Sequence, residues 1–279
     1  MKPTLLLPLV ALFLSVNSAP ATVYTWSNPS GGSWSVSGNW TPTAPPGGPG
    51  AGDSAIFPDP TGSPPSVGID LANGAGILVG SVTFNNAATT YNIYNSNNDQ
   101  SPSSYEILSL NSLTMSGSGS VYLAATRCSA LSLTVNSGYF AYIGTNVLSA
   151  TNVVINGGTL CALGYFPSSL TAGGWSVNTG GTLKVDGTIY GPVVVGSATL
   201  AAGCSPGTAD VQGDVSYTAS GHSEFELATP NVVGGGSDLI SVTGNLTLNG
   251  TLDLTALSGF GAGTYRLFNY TGSLTNNGV

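Results

Sequence analysis

The 279-residue chain has little charge: Asp, Glu, Lys and Arg make up 6% of it, and only four residues are basic. Nucleic acid and anionic membrane both select clustered Lys and Arg, so neither is an expected partner, and a formal net charge of −8 points the same way. A lyase acting on acidic polysaccharides would also need basic groups, and the central region offers only Arg127 and Lys184. There is one histidine, His222, in Ser220-Gly-His-Ser-Glu224. No G-x-S-x-G elbow accompanies it, so it reads as an exposed turn residue rather than a catalytic base.

Cysteine is scarce as well. Cys128, Cys161 and Cys204 are separated by 33 and 43 residues, and an odd count leaves one thiol over. The expected role is that of small buried hydrophobes in a core rather than a metal or redox site, although two of them could meet if they lie on different faces. Long apolar runs are confined to the start. Lys2, the apolar residues 5–16 and Ala19-Pro20-Ala21 have the order of an export leader with an A-x-A cleavage site, so residues 1–21 are read as a signal peptide. A dozen apolar residues fall short of the ~20 a membrane helix needs, and no later run is longer, so no membrane-spanning segment is expected in the mature chain.

Glycine and proline are abundant, at 40 and 17 residues, yet hydrophobic residues still make up 41%, enough for a core. They recur with a period. Met115-Ser-Gly, Val135-Asn-Ser-Gly138, Ile155-Asn-Gly-Gly158 and Val177-Asn-Thr-Gly-Gly181 each close an apolar run and turn, at steps of 20, 20 and 22. Val121, Phe140, Leu160, Leu183 and Leu200 follow those turns at steps of 19, 20, 23 and 17. Leu131-Ser-Leu-Thr-Val135 alternates apolar and polar, which predicts a strand with one buried face. Asn-Gly-Gly supplies residues that tolerate a tight corner. One such coil cannot bury its apolar side alone, but coils stacked ~4.8 Å apart can. The chain is therefore expected to be all-β, a parallel β-solenoid with about twenty residues per coil, as the repeat itself shows. The alternative is an antiparallel β-sandwich.

Around this centre lie less regular parts. Trp26, Trp34 and Trp40 sit within fifteen residues, followed by a Pro/Gly-rich stretch and Asp53-Ser-Ala-Ile-Phe57. Clustered aromatics could stack on sugar rings, but closing the open end of the first coil is the favoured role. Ile77-Leu-Val79 and Val82-Thr-Phe84 read as strands, and residues 92–104 as an inserted surface loop. After Pro206-Gly207, Leu246-Thr-Leu-Asn-Gly-Thr-Leu252 resumes the repeat and Gly263-Thr-Tyr-Arg-Leu-Phe268 is a last strand. No capping element follows, so the chain is expected to be truncated or to run on into another module. The expected units are the leader 1–21, a cap with first strands 22–60, solenoid repeats 61–203 and a C-terminal repeat unit 204–279.

Two phrases suggest chemistry and are weighed down by plainer readings. Glu224-Phe-Glu226 places two carboxylates on one strand face ~6.5–7 Å apart, within the inverting-glycosidase range, but alternate acidic residues are common on solvated strands. Val233-Gly-Gly-Gly-Ser-Asp238-Leu-Ile240 partly matches a calcium-binding nonapeptide, yet occurs once and lacks its first glycine. No catalytic, cofactor-binding or metal residue is assigned.

Trp26, Trp34-Ser, Asn39-Trp40 and Asp53-Ser-Ala-Ile-Phe57 resemble the start of bacterial secreted proteins with autotransporter-associated β-strand repeats. Pro206-Gly207, Ser237-Asp238-Leu-Ile-Ser-Val-Thr-Gly244 and Gly263-Thr-Tyr-Arg-Leu-Phe268 resemble that family's C-terminal unit. The resemblance implies a right-handed parallel β-helix displayed outside a bacterial cell, in some members upstream of an outer-membrane barrel, of which this chain shows none. The expected function is that of an exported, non-catalytic structural or adhesive protein, secreted or at the cell surface, meeting extracellular glycans or cell-surface components. The alternatives are a carbohydrate-binding module using Trp26, Trp34 and Trp40, or a carbohydrate-active enzyme on the same scaffold.

Overall fold

In a computed structural model the described residues are 20–62, 64, 66–71, 77–94, 107–124, 127–144, 148–164, 170–204, 206–234 and 236–279. Residues 1–19 of the expected leader and 95–104 of the expected inserted loop lie outside them. Strands alternate with turns from Val23 to Asn276, and among the described residues the one helical element is a single 3-10 turn, Ser37–Asn39. No helix among the described residues is long and apolar enough to cross a membrane.

The strands stack as a parallel β-solenoid. One coil contributes the long strand Arg127–Val135, a tight turn, and the shorter strand Tyr139–Gly144. The long strand pairs in parallel with Ile107–Met115 below it and Leu148–Ile155 above it. Tyr139–Gly144 pairs likewise with Ser120–Ala124 and Thr159–Gly164. A β-sandwich would need antiparallel neighbours, and among the described residues the sole antiparallel pairing is Trp26 and Thr25 with Trp40 and Thr41.

Each long strand is bent. Pairing skips Gly80, Asn111, Leu131 and Thr151 at successive levels, so the strand forms two faces, called here the first and second, and the shorter strand forms the third. The bend corrects the simple alternation: Leu131 sits at the corner and is 61% exposed, while Leu133 and Val135 are buried. Register explains the repeat. Met115, Val135 and Ile155 lie over one another at steps of twenty, and Val177 and Val195 continue the column at 22 and 18. Phe84 pairs directly with Met115, so the long interval between them is accommodated between strands. The ladders also run on through position 204, where Ile189 pairs with Val211 and Leu200 with Ser223.

Like residues therefore meet like. Val121, Phe140, Leu160, Leu183 and Leu200 form one inward column of the third face, all fully buried. Each such side chain contributes ~1.5–3 kcal/mol by burial, which only the neighbouring coil can supply. At the corner after the second face the asparagines also stack: Asn156 Nδ2 donates to Asn136 Oδ1 at 3.0 Å and Asn178 Nδ2 to Asn156 Oδ1 at 2.8 Å. The asparagines thus serve as an amide ladder, while the left-handed backbone falls on Gly138 at φ 69° and Gly180 at φ 77°.

The lower end is closed by aromatic rings. Trp34 and Trp40 lie edge to face at 4.8 Å, Trp26 and Trp40 at 5.1 Å, and Phe57 stacks on Phe84 at 4.9 Å. Trp40 Nε1 donates to the Trp34 carbonyl and Trp26 Nε1 to that of Asn28. At the upper end, Leu254 and Leu274 occupy inward register positions yet are 55% and 42% exposed, with no described residue over them.

Cysteine chemistry departs from expectation at two positions. Cys128 is a buried core residue as predicted, and burial pushes its thiol pKa up to about 12. Cys161 and Cys204 form a disulfide, with Cα atoms 6.7 Å apart. The reason is directional. Leu160 and Ala162 point into the core, so alternation turns Cys161 outward, and the turn after Ala202 folds Cys204 back over the intervening strand Thr182–Tyr190. The bond thus clips a coil to the one two levels above it.

A second clamp lies near the lower end. The Asp59 carboxylate accepts hydrogen bonds from the backbone amides of Ala87, Ala88 and Thr89. Burial opposes ionisation of Asp59, but these donors outweigh it and hold the carboxyl below its usual 3.8.

Two outcomes follow from these clamps. Replacing both disulfide cysteines with serine should lower unfolding free energy by about 3–4 kcal/mol, the loop-closure value for a 43-residue separation, as read by urea denaturation. A folded-state pKa depressed below the unfolded value confers stability above the unfolded pKa that is lost as pH falls through the folded one. Asp59→Asn should therefore lower the melting temperature at pH 7, and the difference from wild type should shrink below about pH 4.

Candidate functional site

Outward positions of the third face form a grid, three per strand, because alternate residues face solvent and the strands are in register. The grid has two chemically different halves. From Thr182 upward it is charged. Lys184, Ala201, Glu224 and Asp253 succeed one another in a single column. From Thr90 to Gly164 no outward position carries a charged side chain. The disulfide at Cys161 marks the junction.

The charged half contains the residues that sequence reasoning singled out. Lys184, Cys204, Glu224, Glu226 and Asp238 border a polar recess of about 40 Å3, room for water and not for a sugar ring. Phe225 points into the core, which leaves Glu224 and Glu226 side by side facing out. Asp238 is 2% exposed, and its two oxygens accept from the amides of Gly207 and Glu226, both at 2.7 Å. Burial pushes the Asp238 carboxyl up; those two amides pull it down, and the charges of Glu226 and Glu224 push it further up. Asp238 thus ties the turn before Leu239 to two lower segments. The apparent calcium motif serves as this tie, with the carboxylate already engaged. No three His, Cys, Asp or Glu side chains converge as a metal would require, among the described residues.

His222 begins the strand His222–Leu227 instead of lying in a turn, and its Nδ1 is 2.7 Å from Asp253 Oδ2 on the next coil. Both side chains are about half exposed. Ser223 faces inward and is 2% exposed, so no serine nucleophile adjoins the pair on this strand. Asp253 was invisible to sequence reasoning because only register, 31 residues on, brings it beside His222. Of Arg127 only the backbone is described.

Trp26, Trp34 and Trp40 are 1%, 2% and 2% exposed, so their ring faces are spent on one another and on Phe57. They offer no surface to a sugar. Among the described residues Tyr190, Phe260 and Tyr270 are exposed on other parts of the surface, and three partly exposed tyrosines stand together in the lower half of the third face. Tyr94 takes the last outward position of Thr90–Tyr94, Tyr122 the middle one of Ser120–Ala124, and Tyr139 the first of Tyr139–Gly144. The register partners are Asn92 with Tyr122 and Ser120 with Tyr139, so the three tyrosines step one column sideways per coil. The Tyr122 and Tyr139 ring centroids are 5.8 Å apart. The available signal was their position: Tyr122 and Tyr139 flank the inward Val121 and Phe140 on the wet side of the alternation.

Part of the chain is similar to the adhesin BmaC autotransporter of Brucella suis biovar 1 (strain 1330), 46% identical over 91 residues. That stretch is 31% of this chain and 3% of the adhesin's length, so the chain spans a small fraction of that relative. No protein-family model matches the chain, and no solved structure matches it.

Titration with glycans should leave indole emission unchanged, because the three clustered rings are enclosed. Trp34→Ala should instead cost about 3–5 kcal/mol of stability by denaturant unfolding, as expected for a large aromatic removed from a packed cluster.

Proposed function

We propose that this chain is a stretch of an exported β-solenoid that acts as an adhesive or structural passenger at or outside the bacterial surface, without catalysis of its own. The observation that carries this reading is the 46% identity to an autotransporter adhesin over 91 residues. In-register stacking supports it: a solenoid is a rigid spacer whose outer columns repeat a contact group at every coil. In this reading residues 1–21 are the export leader, residues 22–60 cap the stack, and residues 204–279 form a C-terminal repeat unit. The polar recess is then a structural feature, since its buried carboxylate closes a turn and its small volume leaves no place for substrate.

Beads coated with the purified chain should bind epithelial cells or extracellular matrix above the level of beads coated with an unrelated β-solenoid. Absence of adhesion, together with polysaccharide hydrolysis that disappears in Glu224→Ala or Glu226→Ala, would replace this reading with a carbohydrate-active enzyme.

A further inference from the structure

We infer that the diagonal of Tyr94, Tyr122 and Tyr139 on the third face is a binding track for an extended, uncharged polysaccharide chain. The inference rests on the adhesive reading above and names its partner. Adjacent strands are ~4.8 Å apart and alternate residues ~6.6 Å, which places successive tyrosine Cα atoms ~8 Å apart and the whole track at ~16 Å. That length suits a few linked sugar rings.

Four observations favour a glycan as the occupant. The tyrosines are the aromatic side chains standing on this neutral patch, with Tyr94 37% exposed and Tyr122 and Tyr139 partly exposed. A tyrosine ring presents an apolar face with a polar tip, which suits the apolar faces and hydroxyl rims of sugars. Neutral hydrogen-bonding groups, Thr90, Asn92 and Ser120, stand beside the rings, and the Tyr94 ring lies over Gly68. The one charged neighbour among the described residues of this face is the carboxylate of Asp70, paired below Tyr94, which disfavours an acidic sugar. Asn92 already donates to Ser66 Oγ, so the amide is held in place on the same face. Finally, no charged outward position lies between Thr90 and Gly164, so an ionised sugar would find no counter-charge there.

Area decides against a folded protein as the occupant. Three rings, Tyr94 37% exposed and the other two partly exposed, offer at most on the order of 200 Å2 of aromatic surface. A specific protein interface needs about 800 Å2 from each partner. The strands that carry the rings are fixed by pairing on both sides, so little ordering opposes binding of a narrow linear ligand.

The test uses the full chain against neutral hexasaccharides of β-glucan, mannan and galactan type, with oligogalacturonate as the anionic contrast, by calorimetry or biolayer interferometry. At least one neutral hexasaccharide should bind, and oligogalacturonate should bind far more weakly. Tyr122→Ala should weaken binding about ten-fold or more, while Tyr122→Phe, which keeps the ring face, stays within about three-fold of wild type. Tyr94→Ala and Tyr139→Ala should each weaken it with no change in melting temperature. Val194→Ala on the second face should change nothing. Glycan binding that survives the triple Tyr→Ala variant overturns the track. So does adhesion to cells with no neutral glycan bound, in which case the adhesive reading stands and the partner belongs to another class. Loss of both adhesion and glycan binding removes the two readings together.

Discussion

In-register parallel pairing is the constraint from which the rest of this molecule follows. Once coils stack at ~4.8 Å, every position is set directly above its counterpart, and a residue type is repeated or opposed at each level. Inward columns are apolar over most of their length, as in the run from Val121 to Leu200, with the small Ser223 next above it. Corner columns must be small or mutually hydrogen-bonded. A side chain added at Gly138 would drive its Cβ into the Gly117 carbonyl oxygen, whereas Asn136, Asn156 and Asn178 gain by bonding to one another.

The same constraint makes the ends and the outer faces the places of chemical freedom. A stack buries its interior only where a neighbour exists. The lower end solves this with interlocked tryptophans, an antiparallel strand pair and the Asp59 clamp. The outer side of the third face is not required for burial, and there the composition divides. Above Asp70 its lower half is uncharged from Thr90 to Gly164 and carries tyrosines; its upper half carries Lys184, His222, Glu224 and Asp253, beyond a disulfide that spans two coils.

Function on such a scaffold resides in what the outer columns present. Fixed strands hold aromatic and amide groups in a set geometry without loop ordering, which suits recognition of a repetitive, extended ligand. Two of the upper half's carboxylates are engaged by the fold itself, while Glu224 and Glu226 face out. Asp238 bonds two backbone amides, and His222 bonds Asp253.

The period near twenty residues and the Asn-Gly corners were enough to determine the stacked parallel architecture, because both repeat along the chain and have the same physical meaning at each level. The tryptophans were legible as a cluster, and the structure buries them against one another and Phe57. Three features were decided only in the tertiary structure. The bend in the long strand turned Leu131 outward, which alternation within five residues could not express. The Cys161–Cys204 bond required an outward cysteine and a turn that folds back, and neither follows from a separation of 43. The tyrosine diagonal and the His222–Asp253 pair join residues from different coils. Steps between paired residues of successive coils vary between 17 and 37 along the stack, so side-by-side placement depends on the register that each loop allows, and that register exists only once the coils are packed.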